Sequence, residues 1–181
     1  MNTLLARKSR QFAGIGICCG IFAFSFGSAF ASDDEEVPWQ EEDVSYPAPP
    51  QDQHLLPFYV SPTTNNRFLI DEESLSVKED GVIRYTLVVI SSEGARNVSY
   101  EGIRCATGER RIYAFGRSDG VWSKARSSAW HRIQKKEMNR YHDALNAEYF
   151  CTPGNSVDSV EKARAVLRNG GNSEAITRVT P

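Results

Sequence analysis

"GVIRYTLVVISSEGARNVSYEGIRCATGERRIYAFGRSDG" spans residues 81–120, and its rhythm decides the fold. Ile83, Tyr85, Leu87 and Val89 recur with a period of two, which is the pattern of a half-buried strand. Glycine follows a polar residue at Asp80-Gly81, Glu93-Gly94, Thr107-Gly108 and Asp119-Gly120, and such pairs supply the positive φ that tight hairpins need. The turns punctuate runs near 74–78, 82–91, 97–106, 109–117 and 121–124, preceded by strands around Leu56–Val60 and Arg67–Ile70. The economical reading is an antiparallel meander of about five to seven strands.

Helical spacing appears only further on. In "KKEMNRYHDALNAEYF" the apolar positions Met138, Tyr141, Leu145 and Tyr149 fall on one stripe, and that stripe needs a sheet to cover. The predicted fold class is therefore α+β, an antiparallel sheet with a C-terminal helix packed across it. Asp158 and Glu161 have capping-box spacing and Gly170-Gly171 mark a stop, so a short helix is expected over 159–168, thinly apolar, followed by a loose tail.

The N-terminus reads as a secretory signal. Arg7, Lys8 and Arg10 precede an apolar run from about Phe12 to Phe26, and Ala29-Phe30-Ala31 gives the A-x-A cleavage pattern before Ser32. An uncleaved anchor would need a span of about 20 apolar residues, more than this run offers. Lipidation at Cys18 or Cys19 would need a small preceding residue, whereas Ile17 and Cys18 stand there. The mature chain, residues 32–181, has no second apolar stretch and so no expected transmembrane segment.

Removing the signal leaves Cys105 and Cys151, an even pair in an oxidising compartment, most simply a disulfide. A zinc site would want close C-x-x-C or H-x-x-x-H spacing, and a catalytic thiol would want a partner histidine. No cofactor or metal is expected from the sequence.

Charge is segregated along the chain. Residues 32–52 carry eight carboxylates, Glu41, Glu42 and Asp52 among them, with no lysine or arginine and with four prolines, which reads as a solvated, disordered leader over 32–53. Residues 104–140 carry ten basic side chains against three acidic ones. Between leader and tail, residues 54–153 form the expected single globular domain, and 154–181 the short helix and flexible tail.

Several stretches together resemble the cryptic neisserial protein one-like family of exported bacterial proteins. They are Trp39-Gln40-Glu41-Glu42, "LLPFYVSPTTNNRFLID" from Leu55, "SLSV" with "DGVIRYTLVV", the unbroken "ARNVSYEGIRCATGERRIYAFGRSDGVWS" from Ala95 to Ser123, the pair Trp122 and Trp130, and "YFC" at 149–151. The likeness covers about residues 37–152 and implies export and a single domain, with no established activity to carry over. A looser likeness, in the order of "IDEESLSV" and "YEGIRCATGERR", is to surface adhesins of the protein E type, and implies an antiparallel sheet crossed by a helix.

Catalytic constellations are sparse. The histidines are His54, His131 and His142, each read as a surface or boundary residue; adjacent His142 and Asp143 would point about 100° apart on a helix. Asp71, Glu72 and Glu73 are read as a turn between strands, and Glu79 and Asp80 as an exposed approach to a hairpin. The candidate site is instead a basic and aromatic stripe. On a strand over 109–117, Arg111, Tyr113, Phe115 and Arg117 share a face and could stack on and hydrogen-bond an anionic partner. The commoner arrangement makes Tyr113 and Phe115 core, with the arginines snorkelling at its edge.

The sequence thus points to a non-enzymatic exported binding module, periplasmic or on the cell surface. Its expected partner is an envelope protein, a glycan or an anionic lipid; nucleic acid is disfavoured by export. A surface adhesin and a small envelope hydrolase are the alternatives. The acidic leader is itself a candidate occupant, able to fold back over the basic patch until a partner displaces it.

Overall fold

The computed structural model describes residues 38–134, 140–153 and 156–171. The expected signal peptide, Met138 and residues 172–181 lie outside the described residues.

Seven strands form one antiparallel sheet: β1 (Leu55–Phe58), β2 (Arg67–Val77), β3 (Val82–Ile90), β4 (Arg96–Arg104), β5 (Glu109–Gly116), β6 (Trp122–Lys124) and β7 (His131–Arg132). They pair in sequence order from β1 to β6, and β7 joins the same edge of β5 as β6, beside residues 109–110. The hairpin glycines Gly81, Gly94, Gly108 and Gly120 all have positive φ, as the turn chemistry requires. Both edges are short: β1 has four residues including Pro57, while β6 has three and β7 two.

The two expected strands at 67–70 and 74–78 are one long strand. β2 runs through both and shifts register against β3 between Asp71 and Ser76. Ser74 fills the irregularity: its hydroxyl donates to the Asp71 carbonyl (2.7 Å) and accepts the Thr86 amide (2.7 Å). Asp71, Glu72 and Glu73 therefore lie within a strand and not at a turn; Asp71 is buried, and that burial raises its pKa.

Ile83, Tyr85 and Leu87 face inward with Phe68, Ile70 and Ile103, and there they meet the helical layer. That layer begins with α1 (Tyr141–Ala144), which continues as a π-helical turn, Leu145–Phe150. The wider turn, seen in the Cys151 amide donating to the Asn146 carbonyl (2.9 Å), brings Leu145, Tyr149 and Phe150 together into the core. Its end is tied to the end of β4 by the Cys105–Cys151 disulfide, with Cα atoms 5.1 Å apart.

α2 (Val160–Arg168) corrects two expectations. Its N-cap is Ser159, whose hydroxyl accepts the Lys162 amide, and its apolar face is not thin: Ala163, Val166 and Leu167 join the core. Arg164 donates to the Glu72 carbonyl and Arg168 pairs with the Glu72 carboxylate, so the helix is fastened to β2 and belongs to the domain.

The opposite face of the sheet is covered too, which overturns the half-buried strand and, for residues 38–51, the solvated leader; residues 32–37 lie outside the described residues. Val82, Arg84, Thr86 and Val88 are as buried as their inward neighbours. Residues 38–51 lie over them as an extended strap. The Trp39 indole donates to the Asp80 carbonyl (2.8 Å), the Glu42 amide to the Asp80 carboxylate (3.0 Å), and the Trp122 indole to the Pro47 carbonyl (2.8 Å). Tyr46 packs on Tyr100 and Trp122. The aromatics supply the apolar contact that the charge count obscured, and prolines, already fixed in φ, lower the entropy lost on ordering.

Candidate binding surface

β5 holds the predicted stripe, and a bulge divides it. Arg111 pairs with Gly102, but the register slips by one between Tyr100 and Glu101, so that Phe115 opposes Ser99. A one-residue slip moves the following side chains to the other face. Arg111 and Tyr113 consequently face the strap, Phe115 stands half exposed on the helix side, and Arg117 lies past the strand in the turn before β6. The four residues do not form one surface.

Arg111 and Tyr113 are already engaged. Glu41 of the strap puts one carboxylate oxygen against Arg84 (3.3 Å) and the Tyr113 hydroxyl (2.6 Å), and the other against Arg111 and the Trp130 indole (3.2 Å). Only 12% of the Glu41 side chain is exposed, so these charge-assisted bonds act away from bulk water. Arg84 also bridges to Asp80 at 2.5 Å. Burial pushes the Asp80 carboxyl up, but Arg84 and the amides of Glu42 and Val82 outweigh it and hold the pKa below the usual range. Tyr113 is driven the other way, first by burial and then by the Glu41 carboxylate that accepts its hydrogen bond. Trp39 completes the cluster, with the Arg104 guanidinium 3.7 Å above its ring and Trp130 edge-on at 6.0 Å.

An open groove of about 400 Å³ lies further along the strap. Pro49 and Pro50 form one wall, Val98 and Trp122 give it apolar surface, and Arg96 and Arg117 bring positive charge. Arg96 is paired with Asp52 (2.8 Å) and Arg117 with Asp119 (3.3 Å). Those carboxylates are 85% and 51% exposed, and ion pairs so exposed contribute at most about 1 kcal/mol. Of the predicted stripe, Arg117 alone lines this groove.

The helix side holds a buried polar cluster that the sequence reading missed. His142, expected at the surface or its boundary, is buried, and its Nε2 lies 2.8 Å from the Glu101 carboxylate. Glu101 also accepts from Ser99 (2.6 Å) and Tyr85 (3.3 Å). Burial raises the Glu101 pKa, yet the hydrogen bond and charge of His142, helped by Ser99 and Arg110, bring it below its ordinary value. Ser99 donates to the carboxylate and not to the imidazole, so the three do not form the hydroxyl–imidazole–carboxylate relay of acyl transfer. His54 is partly exposed beside Gln53, and His131 is exposed on β7. Among the described residues, no group of three or more His, Cys, Asp or Glu could hold a metal ion, and no helix is long and apolar enough to cross a membrane.

No curated protein and no solved structure matches the chain. The sequence profile of the CNP1-like family matches residues 34–168, from just ahead of the strap to the last residue of α2, and the chain belongs to that family.

Proposed function

We propose that the protein is an exported, non-enzymatic binding module whose groove takes an acidic, partly apolar segment of a partner protein. The observation that carries this reading is the groove itself: two arginines held only by exposed carboxylates, set beside an indole, a valine and two prolines. A ligand carboxylate can replace such weak partners, while the apolar wall offers contact area that an inorganic ion could not use. The same sheet face already holds one acidic extended segment, the chain's own, through arginines, a tyrosine hydroxyl and indole N–H groups. Export is supported by the disulfide and by the Ala29-Phe30-Ala31 pattern.

Fluorescence anisotropy with a short labelled peptide of alternating glutamate and leucine tests the proposal. The wild-type chain should bind it, more weakly as salt rises, and Arg96→Gln with Arg117→Gln should weaken binding by about tenfold or more. Equal binding by the double variant would overturn the groove assignment. Binding to vesicles of anionic lipid in place of the peptide would reassign the partner to a membrane surface.

A further inference from the structure

The groove wall has no ladder of its own. Pro49 and Pro50 lack backbone N–H groups and so donate nothing to the sheet, and beyond the packing of Pro49 beside Gly120 the wall stands where its neighbours on the strap hold it. Three fastenings surround it: Glu41 in its four-donor site, the Pro47 carbonyl on Trp122, and Asp52 on Arg96. The last is the exposed one, and it uses the guanidinium that a ligand carboxylate would seek.

We infer that the strap regulates the groove: Asp52 competes with the ligand for Arg96, and Glu41 is the anchor that keeps the proline wall in place when Asp52 lets go. The inference rests on the reading of the groove as a site for acidic segments. It makes Glu41 a positioning residue that touches no ligand, and it links occupancy of the groove to the docking of a carboxylate eight residues before Pro49. A ligand that needs the docked strap is weakened in proportion to the fraction of molecules in which the strap is docked.

The signs of the expected effects separate this from simple electrostatics. Removing a negative charge near a basic groove should by itself strengthen binding of an acidic peptide. Under the inference Asp52→Asn does strengthen it, but Glu41→Gln weakens it by about threefold or more because the wall loosens. Tyr113→Phe changes no charge, keeps the ring and removes the 2.6 Å hydrogen bond to Glu41; it should also weaken binding, where an electrostatic bystander would leave it unchanged.

The experiment measures the anisotropy of the glutamate–leucine peptide on wild type and these three variants. Hydrogen exchange of the Glu42 amide, which donates to the Asp80 carboxylate, and of the Trp122 indole N–H, which donates to the Pro47 carbonyl, is followed in parallel without peptide. Faster exchange at those two groups in Tyr113→Phe, with the amides of β3 and β4 unchanged, is the expected signature of a loosened strap. Peptide binding by wild type that is unaltered in Glu41→Gln and Tyr113→Phe would overturn the inference while leaving the groove intact. Unaltered strap exchange in Tyr113→Phe would overturn it even if no peptide bound, an outcome that by itself removes the reading of the groove.

Discussion

Replacing His142 with phenylalanine should be among the most damaging single changes in this domain, and a second change should repair part of the damage. Phenylalanine keeps a ring in the same space but removes the imidazole N–H facing Glu101. The Glu101 side chain is 1% exposed, so its carboxylate cannot turn to water, and it is left with Ser99 at 2.6 Å, a long contact to Tyr85 at 3.3 Å and the charge of Arg110. An ionised group stranded in this way costs about 3–5 kcal/mol. Adding Glu101→Gln removes the stranded charge while its amide oxygen still accepts from Ser99 and its NH2 group takes the position facing the Tyr85 hydroxyl, which can accept from it. The double variant should then lose only about 1–2 kcal/mol, so that the second substitution stabilises the first.

Urea unfolding followed by tryptophan fluorescence and far-ultraviolet circular dichroism, with the disulfide intact, measures all four corners of the cycle. The pH dependence gives a second readout. In the wild type the Glu101 pKa lies below its ordinary 4.5, so its stabilisation is fully present above that pH and fades as pH falls through the folded value. Without His142 the burial that raises the Glu101 pKa is opposed by Ser99 and Arg110 alone, so the folded pKa is expected to move up, and if burial then prevails the deficit of His142→Phe should shrink on acidification towards pH 4.5. A cost below about 1 kcal/mol for His142→Phe, or a double variant less stable than His142→Phe, would refute the reasoning.

Two further outcomes follow from the packing. Reducing the Cys105–Cys151 bond, whose ends are 46 residues apart in sequence, should lower the stability measured in urea by about 4 kcal/mol; an unchanged midpoint under reductant would show that the bridge constrains nothing. Gly102→Ala should destabilise by about 1–3 kcal/mol, against the usual gain of replacing glycine in a strand. Its Cβ would sit 2.5 Å from the Tyr113 hydroxyl, which Glu41 holds in place, and 3.0 Å from Val82; a more stable variant in the same urea assay would mean that Tyr113 yields freely.

The sheet was legible because its information is local. Alternation at Ile83, Tyr85 and Leu87 and the four polar-glycine turns each involve neighbours in sequence, and the structure places the hairpins at those turns. The disulfide was legible by arithmetic. What escaped depends on partners far apart. Glu41 reads as one carboxylate among eight until Arg84 and Arg111, 43 and 70 residues away, are brought to it; Trp39 and Tyr46, aromatics in an acidic run, were the available signal that the segment packs. His142 shares helical spacing with Leu145 and Tyr149 as well as Tyr141 does, and Glu101 alternates with Ile103, so their burial was written in the periodicity but outweighed by polarity. The bulge in β5 had no local marker. It alone separated Phe115 from Arg111 and Tyr113, and with that the predicted stripe.

The shortness of the outer strands has a consequence for how the protein behaves in concentrated solution. A neighbouring molecule seeking to extend the sheet meets four residues interrupted by Pro57 on one side, and fragments of three and two residues on the other. The nine-residue β3 and β4, long enough to template a fibril, are enclosed within the sheet, while β1 covers only residues 68–71 of the eleven-residue β2. Edge-to-edge pairing through β1, β6 and β7 is therefore disfavoured, and the part of β2 beyond β1 carries Glu72 and Glu73, charges that oppose pairing with a second chain.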